Sequence, residues 1–187
     1  MLLIDNFDTR MSMFYKYISE EYADIKIIRN DEMLPEEIIA MKPKAVIIAS
    51  GTGTPKDAGI CADLIKKLDV SVPLLGIGLG AQMIGECFGA SFAKMPAPTP
   101  KAFNTGFNTA CPIFNGIETV VGCTENVTSP MMLTPVPEQL CITARDEYGR
   151  IISFAHKEYN VFGIQVYPSA FAGDTGKNII RNFIACI

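Results

Sequence analysis

Residues Val72 to Gly85, VPLLGIGLGAQMIG, constrain this chain more than any other stretch. A short apolar run enters Gly76-Ile77-Gly78-Leu79-Gly80, and an apolar helical pattern leaves it. A strand that feeds a G-x-nucleophile-x-G turn and then a helix is a nucleophile elbow, which holds one side chain above the end of a sheet. Flanking glycines allow the tight bend, and the backbone N–H groups of the following helix face whatever that side chain attacks. The central residue here is Gly78, which has no side chain. The stretch predicts a strand–turn–helix unit shaped for acyl transfer with its reacting atom missing.

The 187 residues suit one domain spanning the whole length, 1–187, with a well-filled core. Hydrophobic residues make up 49% and charged ones 19%, and the net charge is -4. That balance excludes the basic footprint of a nucleic-acid or anionic-membrane binder. No apolar run reaches the ~20 residues of a membrane span. Met1-Leu2-Leu3-Ile4-Asp5 has neither a basic leader nor a cleavage pattern, so it reads as a first strand and the expected location is the cytoplasm. Six cysteines (61, 87, 111, 123, 141 and 186) form no C-x-x-C pair and there is a single histidine, so no metal site is expected. The cysteines read as small buried hydrophobes in a reducing compartment.

The first half alternates strand and helix signals. Strands are expected at Leu2–Ile4, Ile25–Arg29, Ala45–Ala49 and Val72–Leu75. Helices are expected over Met11–Tyr22, from Pro35 onward, over Asp57–Leu68 and over Ala81–Phe88. Such alternation implies right-handed crossovers and a parallel sheet. In the second half Met95–Thr109, rich in Pro, Thr, Asn and Gly, reads as a long loop. Short strands follow at Thr119–Cys123, Leu140–Arg145, Ile151–Ala155 and Val161–Val166, with a hairpin turn at Asp146–Gly149. Thr175–Ile184 closes the chain as a helix. No internal repeat is visible.

Several motifs, in order and over nearly the whole length, carry a resemblance. They are Leu3-Ile4-Asp5-Asn6-Phe7-Asp8, Arg29-Asn30-Asp31-Glu32, Gly51-Thr52-Gly53-Thr54-Pro55, the elbow Gly76–Gln82, His156-Lys157-Glu158-Tyr159, and Gly163-Ile164-Gln165-Val166-Tyr167-Pro168-Ser169. Together they resemble the class I glutamine amidotransferases, particularly the small subunits of anthranilate and aminodeoxychorismate synthases. The resemblance implies a three-layer, flavodoxin-like α/β fold with a mainly parallel central sheet and antiparallel strands in the second half. It also implies a larger synthase-type partner that uses ammonia released from glutamine.

In that family a cysteine attacks the glutamine amide, a histidine relays protons and a glutamate orients the histidine. The positions that match are Gly78, Tyr167 and Ser169. Glycine forms no thioester, and a tyrosine with an ordinary pKa near ~10 is a poor base at neutral pH. The family's first loop proline is Ser50 here, and the histidine after its nucleophile is Ala81. The expected function is that of a pseudoenzyme, a partner-binding, regulatory or small-ligand-binding subunit without glutaminase activity. A vestigial pocket of Gly51, Thr52, Gly53, Leu79 and Gln82 remains by the same resemblance, with a glutamine-like molecule as candidate ligand. Synthase binding and homo-oligomerisation are the partner expectations, and Met95–Phe114 with Met131 and Met132 are candidate contact surfaces, each equally explained as loop and core filler.

Two other readings stay open. A relocated cysteine paired with His156 would restore an active amidotransferase. Cys87 lies nine residues past Gly78, well over ~10 Å along a helix, and reads as core-facing. His156 matches a non-catalytic family histidine and reads as a hydrogen-bonded turn residue. Separately, Gly76-x-Gly78-x-x-Ala81 satisfies a dinucleotide fingerprint, but the acidic residue expected ~20 positions on is absent, so no cofactor is predicted.

Overall fold

The computed structural model describes residues 1–51, 53–91, 101–125 and 136–187. The parallel half is built from β1 (Leu2–Asn6), α1 (Met11–Ser19), β2 (Lys26–Arg29), α2 (Pro35–Ala40), β3 (Val46–Gly51), α3 (Cys61–Lys67), β4 (Leu74–Ile77) and α4 (Leu79–Cys87). The chain continues through β5 (Ala102–Phe107), β6 (Val120–Thr124), β7 (Leu140–Asp146), β8 (Ile151–His156) and β9 (Val161–Ile164) to α5 (Thr175–Ile184). The nine strands among the described residues join one sheet in the order β2-β1-β3-β4-β9-β8-β7-β5-β6. Pairings from β2 to β9 are parallel and those from β9 to β6 antiparallel. The three-layer α/β architecture with a parallel sector and antiparallel strands from the second half is thus the one the sequence implied.

Strand alternation explains the layers. Leu2 and Ile4 pack with α2, α3 and α4 through Ile38, Leu64 and Ile84, whereas Leu3 packs with α1 and α5 through Ile18, Ile179 and Phe183. Successive side chains of a strand point to opposite faces, so one apolar run fills two cores. α2 begins where Pro35 needs no N–H partner and Glu37 Oε2 accepts the Leu34 N–H at 2.7 Å. The expected turn at Asp146–Gly149 forms, closed by Gly149 N–H donating to Asp146 O at 3.0 Å.

Two expectations are corrected. The Met95–Thr109 loop contains a strand, Ala102–Phe107, with Phe103, Thr105 and Phe107 inward and their neighbours exposed. It is held between β6 and β7, so long-range pairing overrides a turn-rich composition. Residues 92–100 of that loop lie outside the described residues. The helix expected over Asp57–Leu68 is shorter, since a separate 3-10 turn covers Pro55–Asp57 before α3 begins.

Candidate functional site

Three neighbouring parallel strands, β3, β4 and β9, deliver Ser50, Gly78 and Tyr167 to the carboxyl ends of the central strands, because β4 pairs with both of the others. Crevices outside the carboxyl ends of parallel strands are where such sheets bind ligands. Gly78 lies between β4 and α4 with φ 55 and ψ -112, and its N–H donates to Ile164 O at 2.8 Å. A φ in this range is strained for any residue bearing a Cβ. The flanking glycines have a packing role. A Cβ on Gly76 would stand 2.5 Å from the Gly80 carbonyl carbon, and one on Gly80 would drive into the Ile48 carbonyl of β3. Close seating of α4 on the sheet accounts for both glycines that flank Gly78.

The elbow is therefore formed, and its central position carries only a hydrogen atom. Leu79 opens α4 and is buried, with its N–H 3.5 Å from Ser50 Oγ. Gly51 ends β3 against the Asn6 backbone. Gly53 is exposed with φ 100 beside the Asp57 side chain, and Gln82 sits one turn into α4, its N–H donating to Gly78 O at 3.1 Å. Thr52, the remaining member of the expected pocket, lies outside the described residues, as do Met131 and Met132.

Tyr167 follows β9 and is 4% exposed. Its phenol donates a hydrogen bond to Asp8 Oδ2, and its ring meets Phe14 edge-on at 5.2 Å. The Arg10 guanidinium lies 4.0 Å over the same ring and donates to Glu125 Oε1 at 2.5 Å. Glu125 Oε2 accepts the Tyr167 N–H at 2.7 Å. Burial pushes the Glu125 carboxyl above its ordinary range, with the Arg10 contacts opposing that shift. Asp8 falls in the opening motif Leu3–Asp8, but no local spacing joins it and Arg10 to Glu125 and Tyr167, so the cluster itself is not legible in the sequence. Beside this cluster, Arg10, Met13, Tyr17, Glu125, Tyr167 and Ser169 line an open cleft of about 480 Å³. Ser169 is an exposed member of the 3-10 turn Pro168–Ala170.

The cysteines are not activated: Cys61 donates from Sγ to Asn6 Oδ1 at 3.3 Å, and the Cys123 thiol, raised by burial, is raised further by the Glu125 carboxylate. Burial raises the thiols of Cys61 and Cys123 to about 12 and that of Cys111 to about 11, and raises those of Cys87 and Cys186 as well. Thiols held this high supply little thiolate. The single histidine, His156, accepts the Glu158 and Tyr159 N–H groups at Nδ1, each at 3.1 Å, with its ring between Phe88 and Tyr159. Among the described residues no group of His, Cys, Asp and Glu is arranged to hold a metal ion, and no helix is long and apolar enough to cross a membrane.

The family model for class-I glutamine amidotransferases matches residues 2–186. The bifunctional protein TrpGD of Thermotoga maritima is 33% identical over 190 residues, covering 98% of this chain, which in turn spans 32% of that longer protein. Anthranilate synthase component 2 of Cyanophora paradoxa is 32% identical over 188 residues, covering 100% of this chain and 99% of its own length. Among solved structures, a glutamine amidotransferase of Thermotoga maritima superposes with a TM-score of 0.72 at 16% identity, covering 98% of this chain and 81% of the other. That likeness concerns the fold.

Proposed function

The chain belongs to the class-I glutamine amidotransferase family, and from that premise we propose that it is a non-catalytic member, a pseudoenzyme with a binding or regulatory role. The observation that carries this reading is the elbow itself, complete in backbone and empty at Gly78. Tyr167 supports it, since its phenol is committed to Asp8 and its backbone to Glu125. A relative named as component 2 of anthranilate synthase supports a larger synthase-type chain as partner. One continuous sheet of nine strands supports reading 1–187 as one domain. A small, glutamine-like ligand would sit beside Leu79 and Gln82, apart from the cleft beside Tyr167, whose lining includes neither.

The test pairs calorimetric titration with glutamine and an ammonia-release assay on the same purified protein. Absence of ammonia release is expected. Release that stops on thiol alkylation would overturn the reading. A second reading, an active glutaminase, is favoured by the identity to anthranilate synthase component 2 over the full chain. It requires a nucleophile other than residue 78, and the raised thiols argue against Cys61, Cys87, Cys111, Cys123 and Cys186 in that role. Co-purification with a larger chain, without thiol-sensitive ammonia release, would separate the partner role from glutaminase action.

A further inference from the structure

Ser50 is the penultimate residue of β3, and Gly78 follows β4, its parallel neighbour. A Cβ built on Gly78 would run into Ser50 Oγ and stand 2.9 Å from Ser50 Cβ. Real Cβ atoms do not approach so closely, so one of the two side chains must shift. Ser50 Oγ also faces the Leu79 N–H, one of the α4 donors that has no partner within its own helix. The 3.5 Å separation is at the long end for such a bond, so the hydroxyl acts more by its volume than by the bond.

We propose that Ser50 is the plug of this elbow: its side chain occupies the place a residue-78 Cβ needs, so positions 50 and 78 are coupled and a side chain at 78 requires Ser50 to move. This rests on reading Gly78 as the family's nucleophile position. Ser50 acts on the site through residue 78 and is a positioning residue.

Four proteins test the coupling: the natural chain, Ser50→Gly, Gly78→Ala and the double variant. Gly78→Ala is expected to lower the thermal midpoint sharply. The double variant is expected to recover roughly 2–8 °C relative to the sum of the two single losses, the size of coupling between contacting residues in a chain of this length. Additive midpoints would overturn the proposal. If Gly78→Ala does not fold and the double variant does, the proposal stands. If neither folds while Ser50→Gly does, the positive φ at residue 78 is the whole obstacle and the proposal falls. Failure of Ser50→Gly itself to fold also overturns it, because a plug is dispensable. Ammonia release by the natural chain would defeat the functional reading and leave this coupling intact, whereas additive midpoints defeat only the coupling.

Discussion

Tyr167 donates its phenolic hydrogen bond to the carboxylate of Asp8, a residue 159 positions earlier, and so ties the end of β9 to the loop that leaves β1. Asp8 Oδ1 meanwhile accepts the Arg10 N–H at 2.8 Å. The carboxylate's side chain is 6% exposed, so its partners matter more than they would in water.

Tyr167→Phe removes the donor and leaves a nearly buried carboxylate short of one partner. Hydrogen bonds to charged groups contribute ~1.5–3 kcal/mol. A loss of about 2 kcal/mol is expected in urea unfolding, with an unchanged m-value. A change under ~0.5 kcal/mol would mean that water replaces the phenol without cost.

Glu125 gives a pH signature opposite to that of an ordinary paired carboxylate. Its folded-state pKa is raised by burial above the usual 4.5, so the folded protein holds the proton more tightly than the unfolded chain. Stability contributed by this group is therefore greatest on the acid side and falls as pH rises through the raised value. The midpoint of the natural chain minus that of Glu125→Gln should shrink as pH rises from 4.5 toward neutrality. A difference that grows over the same range would contradict the burial effect.

Helix seating on the elbow strand makes a further prediction. Gly76→Ala places a methyl 2.5–2.6 Å from the Gly80 and Ala81 backbones, where nothing flexible can yield. Overpacking of this kind costs about 3 kcal/mol. Gly106→Ala is the control, because its nearest neighbour would be 3.7 Å away, and its effect should stay within ~0.5 kcal/mol. Denaturant midpoints of the two variants give the comparison directly.

Thiol labelling probes whether any cysteine has taken over as nucleophile. Cys61 and Cys123, buried and raised to about 12, should resist iodoacetamide in the native protein and react once it is unfolded. Peptide mapping by mass spectrometry reads each position separately. Rapid native labelling at either residue would show an activated thiolate that this structure does not account for.

The amino-acid sequence by itself determined the elements and the family. Glycine spacing around residue 78, apolar runs at strand length and helical periodicities are local properties, and β1, β3, α4 and α5 follow from them. The glycine at the centre of the elbow needed only one residue to be read, because an absent side chain stays absent in any fold. β5 was illegible for the opposite reason. Its alternation of Phe103, Thr105 and Phe107 is present in the chain, yet only pairing with β6 and β7 turns a Thr-, Asn- and Gly-rich segment into a strand. Only the tertiary structure decided what surrounds the elbow. Sheet order sets Ser50 against Gly78, and the crossing of chain segments brings Asp8, Arg10 and Glu125 onto Tyr167. Those contacts join residues 28 to 159 positions apart, and they arise from strand adjacency and burial, which no local pattern encodes.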